Sequence, residues 1–265
     1  VIVGFKRSPF TIANKGLLAT IRPEDILSQV IDDLIKTTNI NKDDIEDIIA
    51  GCAYPEGAQG YNIAKIVSFM TDMPEHVAGM TINRWCGSSM QAIHSAAGSI
   101  AMNAGKVFIC CGIESMTFVP INGLNYSPHP DLMLEQPDVY LSMGLTAENV
   151  AKKFNISRKE QQEFAIQSHS KAFKAQSSNA FDEEITVIKN KDTEVVVDGA
   201  VDLEGRARGV GVAHGLTRRH TPRVDRPVGG EDGAQPVQPG AEGVARRVVA
   251  AARAPLHARG LDVAL

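Results

Sequence analysis

One tryptophan, four tyrosines and four cysteines in 265 residues leave little material for several common protein designs. The cysteines are Cys52, Cys86, Cys110 and Cys111, none of them in a C-x-x-C pair, so neither a zinc ribbon nor a disulfide framework is indicated. Neighbours such as Cys110 and Cys111 seldom bridge to each other. Free thiols suit a reducing compartment, which points to the cytoplasm or to an organelle matrix of similar redox state. No apolar run approaches the roughly 20 residues that span a bilayer. No charged-then-apolar leader precedes the first strand pattern. A net charge of -4 supplies no basic surface for nucleic acid or an anionic membrane. What is present is ordinary: 43% hydrophobic and 22% charged residues, the balance of a soluble globular chain. The length allows one large or two modest domains with a real core.

The first part of the chain alternates between strand and helix signals. Val1–Phe5 is a short apolar run read as a strand. Pro23-Glu24-Asp25 is a good helix start, with proline in the first turn and acids at the positive end of the dipole. Ile26, Leu27, Val30, Ile31, Leu34 and Ile35 then mark one buried helical face. Ile45–Tyr54 reads as a strand, Tyr61–Met70 as a short helix and His76–Ile82 as a third strand. Asn83–Ser88 is a tight segment that opens a long helix, with Met90, Ile93, Ala97, Ile100, Ala101 and Ala104 on one stripe. Val107–Gly112 is an apolar strand of the kind buried on both faces. This alternation predicts an α/β layered domain with a largely parallel sheet.

From Glu114 to Lys191 the character changes. Residues 118–142 are rich in Pro, Asn, Gly and Asp and read as a long irregular excursion, followed by a short helix over Thr146–Phe154. Ser157-Arg158-Lys159-Glu160 fits the S-x-x-E capping box, so a helix is expected to run from there to Gln176 with Phe164, Ala165, Ser168 and Ala172 facing inward. Glu184–Ile188 resumes a strand pattern. Residues 115–185 are therefore read as an insertion on the sheet, the kind of loop domain that builds a binding pocket.

The last segment differs again. After Lys191 the chain contains no Lys, Ile, Asn, Ser, Phe, Tyr, Trp, Met or Cys, while Arg, Gly, Ala, Val and Pro dominate. A globular domain rarely loses all its aromatics and isoleucines at one boundary, because those residues fill cores. The lost residues mostly have A/T-rich codons and the surviving ones G/C-rich codons. That pattern suggests a reading-frame shift, or a junction with unrelated DNA, beginning near Asp198–Gly205. The competing reading is a basic, partly disordered tail. Residues 199–265 thus receive no domain assignment, and residues 1–198 form the domain to be explained.

The most informative stretch is Thr81–Ala92, TINRWCGSSMQA. It places Cys86 between the end of a strand and the start of a helix. A thiol there faces unpaired backbone N–H groups and the positive end of the helix dipole, a setting that favours nucleophilic sulfur. Gly87 permits close approach of a substrate, and Ser88 and Ser89 can cap free N–H groups. The arrangement parallels the serine elbow of hydrolases, with sulfur in place of oxygen. A cysteine chosen at random in such a protein is more often a small buried hydrophobe, and Cys52, Cys110 and Cys111, inside apolar strand runs, are read that way. The histidines support no site: His76, His94 and His169 read as packing or surface residues, and His94 lies about two helical turns, ~12 Å, beyond Cys86.

NRWCGSSMQA resembles the acyl-accepting cysteine motif of thiolases. The likeness extends to Val3–Phe10 with its R-[ST]-P-F turn, to G-x-E-S-M at Gly112–Met116, to M-G-x-T-A-E at Met143–Glu148, and to an I-S-R-x-x-Q and S-H-x-K-A helix over 156–172. It runs in order from residue 1 to about 198. The resemblance implies two similar α/β halves in a five-layered αβαβα core, with a loop domain inserted in the first half. It implies ping-pong chemistry in which Cys86 attacks the 3-keto carbon of a 3-ketoacyl-CoA, acetyl-CoA leaves, and free CoA later accepts the acyl group from sulfur. It places Met143 at the acyl pocket as a substrate contact, a core-filling methionine being the other reading. Coenzyme A enters as substrate, with no separate cofactor and no metal. The expected partners are acyl-CoA and CoA, further copies of the chain, and a multifunctional β-oxidation protein.

The chain also departs from that pattern. The family's second half carries N-x-x-G, a G-H-P motif with the base histidine, and C-x-G-G-G, whose cysteine exchanges the proton of the acetyl-CoA enolate. None of these occurs here. General base catalysis typically contributes ~10²–10⁴-fold, so the chain as written is expected to be a poor catalyst. Ser142 stands before Met143, where the biosynthetic group often has histidine, which favours a degradative 3-ketoacyl-CoA thiolase over an acetoacetyl-CoA thiolase. A short, non-catalytic relative that binds acyl-CoA or a thiolase partner is the reading from another class. A half-thiolase is expected to expose the face that packs on its second half.

Overall fold

The computed structural model describes residues 1–192, 194–196, 198 and the backbone of 248–253. The chain divides into two compact units, one built on residues 1–125 and 182–199 and containing 248–253, the other on residues 126–181. The remainder of the tail reading lies outside the described residues.

The first unit is a sheet with helices on both faces. Its strands are β1 (Phe5–Lys6), β2 (Asp47–Gly51), β3 (Ala78–Ile82) and β4 (Val107–Gly112), with helices α1 (Pro23–Thr38), α2 (Ile63–Met70) and α3 (Ser88–Ala101) between them. β2 lies between β3 and β4 and pairs parallel with both, Ile49 opposite Met80 on one side and Cys110 on the other. Val248–Arg253 form a further strand that pairs antiparallel with both β1 and β4. The reading of a disordered tail does not anticipate that strand. β1 consequently runs in the same direction as β4, and the sheet remains largely parallel.

Strand alternation sorts the core into two faces, since successive side chains point to opposite sides. Ile48, Ala50, Ile109 and Cys111 join Leu27, Ile31 and Leu34 of α1 and Ile63 and Val67 of α2. Ile49, Phe108 and Cys110 meet Ala92 and Ala96 of α3 on the other side. Each fully buried branched side chain stabilises the unit by about 1.5–3 kcal/mol relative to exposure. The small residues at 92 and 96 let α3 lie close on the sheet. This corrects the expected stripe of α3: Ile93 and Ile100 pack partly, but Met90, Ala97, Ala101 and Ala104 face outward. The opening apolar run is corrected too, because Val1, Ile2, Val3 and Phe5 are exposed and only Phe5–Lys6 form a strand.

The return segment is pinned to this unit by polar contacts. Arg7, almost fully buried, donates from Nε to Glu184 at 2.6 Å and bidentately to Asp198 at 2.6 and 2.8 Å. Asp198 also accepts the Phe10 amide, and the Arg7 guanidinium lies 4.7 Å from the Phe10 ring centroid. Thr186 donates its hydroxyl to Asp33 on α1, and Gln29 exchanges two hydrogen bonds with the Lys189 backbone. The expected strand over Glu184–Ile188 reduces to an Ile185 bridge with Arg7, followed by a small hairpin of β5 (Ile188–Lys189) and β6 (Glu194–Val195). The strand Val248–Arg253 is β7.

The second unit contains α4 (Pro130–Glu135), α5 (Met143–Phe154) and α6 (Arg158–Ser177). α5 starts three residues earlier than expected, because Ser142 caps it by accepting the Leu145 amide. The capping box of α6 forms as read: Ser157 accepts from the Glu160 amide and Glu160 from the Ser157 amide. The Ser157 hydroxyl and the Ser157 amide both donate to the Glu160 carboxylate, at 2.7 Å each, and hold that carboxyl below its ordinary range. The expected inward face of α6 is not realised at Phe164, which is 75% exposed, nor at Ser168. The partly covered positions are Arg158, Gln161, Gln162, Ala165, Ala172, Ala175 and Gln176.

Candidate active site

The start of α3 sits directly above the ends of β2 and β4, and two glycines make that approach possible. A Cβ at Gly51 would stand 2.5 Å from the Ser88 carbonyl carbon and the Ser89 nitrogen, and one at Gly112 would collide with Ser89 Oγ. The segment between β3 and α3 is therefore held at the carboxyl ends of parallel strands, the place where open α/β sheets gather binding groups.

Within that segment Trp85 takes a left-handed backbone, φ 48°, which is uncommon for a large side chain. Local hydrogen bonds secure it. Asn83 Oδ1 accepts the Trp85 amide at 2.8 Å, while Asn83 Nδ2 donates to the Ala53 carbonyl at 2.8 Å. The Trp85 carbonyl accepts from the Ser88 hydroxyl at 2.6 Å and the Ser88 amide at 3.0 Å. The Trp85 ring meets Tyr54 edge-on with centroids 5.3 Å apart. Cys86 follows at once, two residues before the helix begins.

Cys86 is exposed, whereas Cys52, Cys110 and Cys111 are buried. Burial pushes the Cys110 thiol up to about 12, helped by Asp47, and drives Cys111 higher still. Those two sulfurs stay protonated and inert at neutral pH. Cys86 is the thiol open to a reactant. The expectation that serines cap α3 is corrected: Ser88 turns its hydroxyl back to Arg84 and Trp85, and no side chain caps the helix from Gly87. The first-turn amides of α3 are left without a side-chain acceptor.

A polar cluster just beyond the ends of β2 and β4 is centred on Glu114, within the segment Gly112–Met116. Glu114 accepts the Ala53 amide at 2.7 Å, the Tyr54 amide at 3.3 Å and Gln59 Nε2 at 2.9 Å, with Cys52 Sγ at 3.9 Å. Gln59 is fully buried, donates also to the Tyr54 carbonyl, and accepts the Ser115 amide. A glutamine between two elements gives no periodic signal, so spacing alone did not single it out.

Met143 belongs to the second unit, at the first turn of α5. It lines an apolar groove of about 420 Å³ with Thr146, Val150 and Ala151 of α5 and Ile156 and Gln161 beyond it, and its side chain is exposed. His76, His94, His129 and His169 are exposed. Among the described residues no group of three or more His, Cys, Asp or Glu could hold a metal ion, and no helix is long and apolar enough to cross a membrane.

The family model described as thiolase, N-terminal domain, matches residues 1–208. The 3-ketoacyl-CoA thiolase of Bacillus subtilis (strain 168) is 39% identical over 198 residues, covering 75% of this chain and 51% of that protein. Three solved structures share the fold. The Bacillus anthracis acetyl-CoA acetyltransferase aligns with a TM-score of 0.63 at 31% identity, over 74% of this chain and 53% of its own. The dimeric peroxisomal thiolase of Saccharomyces cerevisiae aligns at 0.68 and 28%, over 76% and 53%. The human mitochondrial 3-ketoacyl-CoA thiolase in complex with CoA aligns at 0.65 and 27%, over 75% and 53%. The chain spans about half the length of the curated relatives it matches. With a cysteine elbow at the strand ends of a two-faced sheet and a family match over most of its length, the chain belongs to the thiolase family of acyltransferases.

Proposed function

We propose that this chain is the nucleophile-bearing half of a degradative 3-ketoacyl-CoA thiolase, with Cys86 as the residue that carries the acyl group. The single observation that carries this reading is the contrast among the thiols: Cys86 is open at the start of α3 while the other three are buried. The reaction asks for a polarizable nucleophile and N–H donors for the oxyanion. The Cys86 thiolate attacks the 3-keto carbon, the bond between C2 and C3 breaks, and the enolate of acetyl-CoA leaves and takes up a proton. The shortened acyl group remains on sulfur until the thiol of CoA attacks its carbonyl and releases Cys86. The uncapped first turn of α3 offers amides near the sulfur.

The base and the proton donor of the family are expected from segments with G-H-P and C-x-G-G-G, which these residues do not include. The insertion read at residues 115–185, of which residues 126–181 form a compact unit, is proposed as the loop domain that holds the acyl-CoA, with Met143 against the acyl chain. CoA is proposed as substrate, with no further cofactor. The complete enzyme is proposed as a homo-oligomer of the cytoplasm or an organelle matrix, in keeping with the dimeric yeast relative.

A biosynthetic acetoacetyl-CoA thiolase is the second reading, favoured by the likeness to an acetyl-CoA acetyltransferase. Ser142 before Met143 supports the degradative one. The test is to translate the coding DNA beyond residue 198 in all three frames and assay the product. G-H-P and C-x-G-G-G at thiolase spacing, with thiolysis of long 3-ketoacyl-CoA, are expected. Activity confined to acetoacetyl-CoA would overturn the degradative assignment.

A further inference from the structure

We propose that Glu114, together with Gln59, is a positioning residue for Cys86; this rests on the reading of Cys86 as the nucleophile. The path is short and each link is a hydrogen bond or ring contact. Glu114 grips the consecutive amides of Ala53 and Tyr54 just beyond the end of β2. The Ala53 carbonyl then receives Asn83 Nδ2, and the other end of that same side chain receives the Trp85 amide. The Tyr54 ring meets the Trp85 ring. Both branches from Glu114 therefore end on Trp85, the left-handed residue that aims Cys86 at the start of α3.

The chemistry of the link explains the choice of residue. A carboxylate accepts only, and here it collects three N–H groups, two of them from successive backbone positions. Hydrogen bonds to an ionised acceptor are shorter and roughly twice as strong as neutral ones. An amide in its place would turn an N–H₂ group toward an N–H donor and lose one grip. Gln59 locks the carboxylate from the far side by tying Tyr54 and Ser115 to the same cluster. A left-handed tryptophan costs conformational free energy and persists only where its surroundings over-determine it. The cluster provides that over-determination on the sheet side, as Ser88 does on the helix side.

The chain provides its own reporter, because Trp85 is its one tryptophan. Glu114→Gln is compared with the parent by three readouts: the rate of Cys86 alkylation by iodoacetamide across pH, the Trp85 emission maximum, and the melting temperature. The expected result is a fall of about tenfold in the rate at neutral pH, since small displacements of a reacting group carry large rate penalties. A moved pH profile and a changed Trp85 emission, from the altered contact with Tyr54, are expected with it. If Glu114→Gln does not fold, Asn83→Ala cuts the path at an exposed residue, with a fall of about threefold expected from loss of one of the two branches. A lowered melting temperature with unchanged rate, profile and emission would overturn the proposal and leave Cys86 as nucleophile. A parent Cys86 that reacts no faster than N-acetylcysteine amide would overturn the nucleophile reading and this one with it.

Discussion

Residues 1–125 and residues 126–181 put their apolar side chains to different uses. In the first region isoleucine, leucine and valine from α1, α2 and the strands close two cores on either side of the sheet. In the second no residue is buried, and Leu134, Met143, Phe154 and Phe164 stand largely exposed. The helices of the second region are set by local signals: the Ser142 cap, the left-handed Asn155 that ends α5, and the Ser157–Glu160 box. The difference teaches where chemical geometry is held. Cys86 stands on a loop fixed by a packed sheet, while Met143 stands on a helix none of whose residues is buried. The proposed nucleophile needs the first setting, and the groove proposed for the acyl chain tolerates the second.

The comparison can be pressed by mutation, read through urea unfolding. Arg7→Ala should have the largest effect, a loss of about 3–5 kcal/mol, because it strands the Glu184 and Asp198 carboxylates in a buried network. Ile31→Ala, at a site with no exposure, should cost about 3 kcal/mol through lost transfer energy and a cavity. A cost under ~1 kcal/mol for both would mean that the sheet unit has no tight core, and the contrast would dissolve.

Asp47 supplies a smaller effect with a defined pH dependence. Burial at the start of β2 pushes its carboxyl up to about 6, against the pull of the Ile48 backbone and Lys65, and one of its oxygens has no hydrogen-bond partner. A carboxyl raised in the folded state binds its proton more tightly there than in the unfolded chain. Its contribution is therefore full below the ordinary value of 3.8 and is lost as pH rises through about 6. Asp47→Asn should raise stability above pH 6 by roughly 1 kcal/mol, after allowance for solvent screening, and change little below pH 4. Equal effects at both ends of that range would contradict the assignment. Phe164→Ala should have the smallest effect, within about 0.5 kcal/mol, as expected for an exposed side chain. A larger loss would show that α6 has a packing partner on that face.

The α/β alternation was legible because buried strands and amphipathic helices write distinct periods. Val107–Gly112 was read to its ends, since a strand covered on both faces is apolar at every position. The face of α3 differs from the expected stripe by about one residue of rotation: the stripe follows Ile93, Ala97 and Ile100, whereas close approach to the sheet selects Ala92 and Ala96. The face of α6 differs from its expected one because periodicity assumes a core, and among the described residues of that unit none is buried. The placement of Cys86 between strand and helix was legible from the segment Thr81–Ala92. Gln59 and the role of Glu114 were not, because a polar cluster at strand ends is assembled from positions 53, 54, 59, 114 and 115, which no local pattern joins.

The central claim is that Cys86 alone accepts an acyl group. The most direct measurement is peptide mass mapping after incubation with an acyl-CoA, when attack on the thioester carbonyl would form acyl-Cys86 and release CoA. The account predicts a hydroxylamine-labile acyl adduct on Cys86, absent in Cys86→Ser, with Cys52, Cys110 and Cys111 unmodified. An unmodified Cys86 beside an acylated Cys52, Cys110 or Cys111, or no adduct on any thiol, would contradict it.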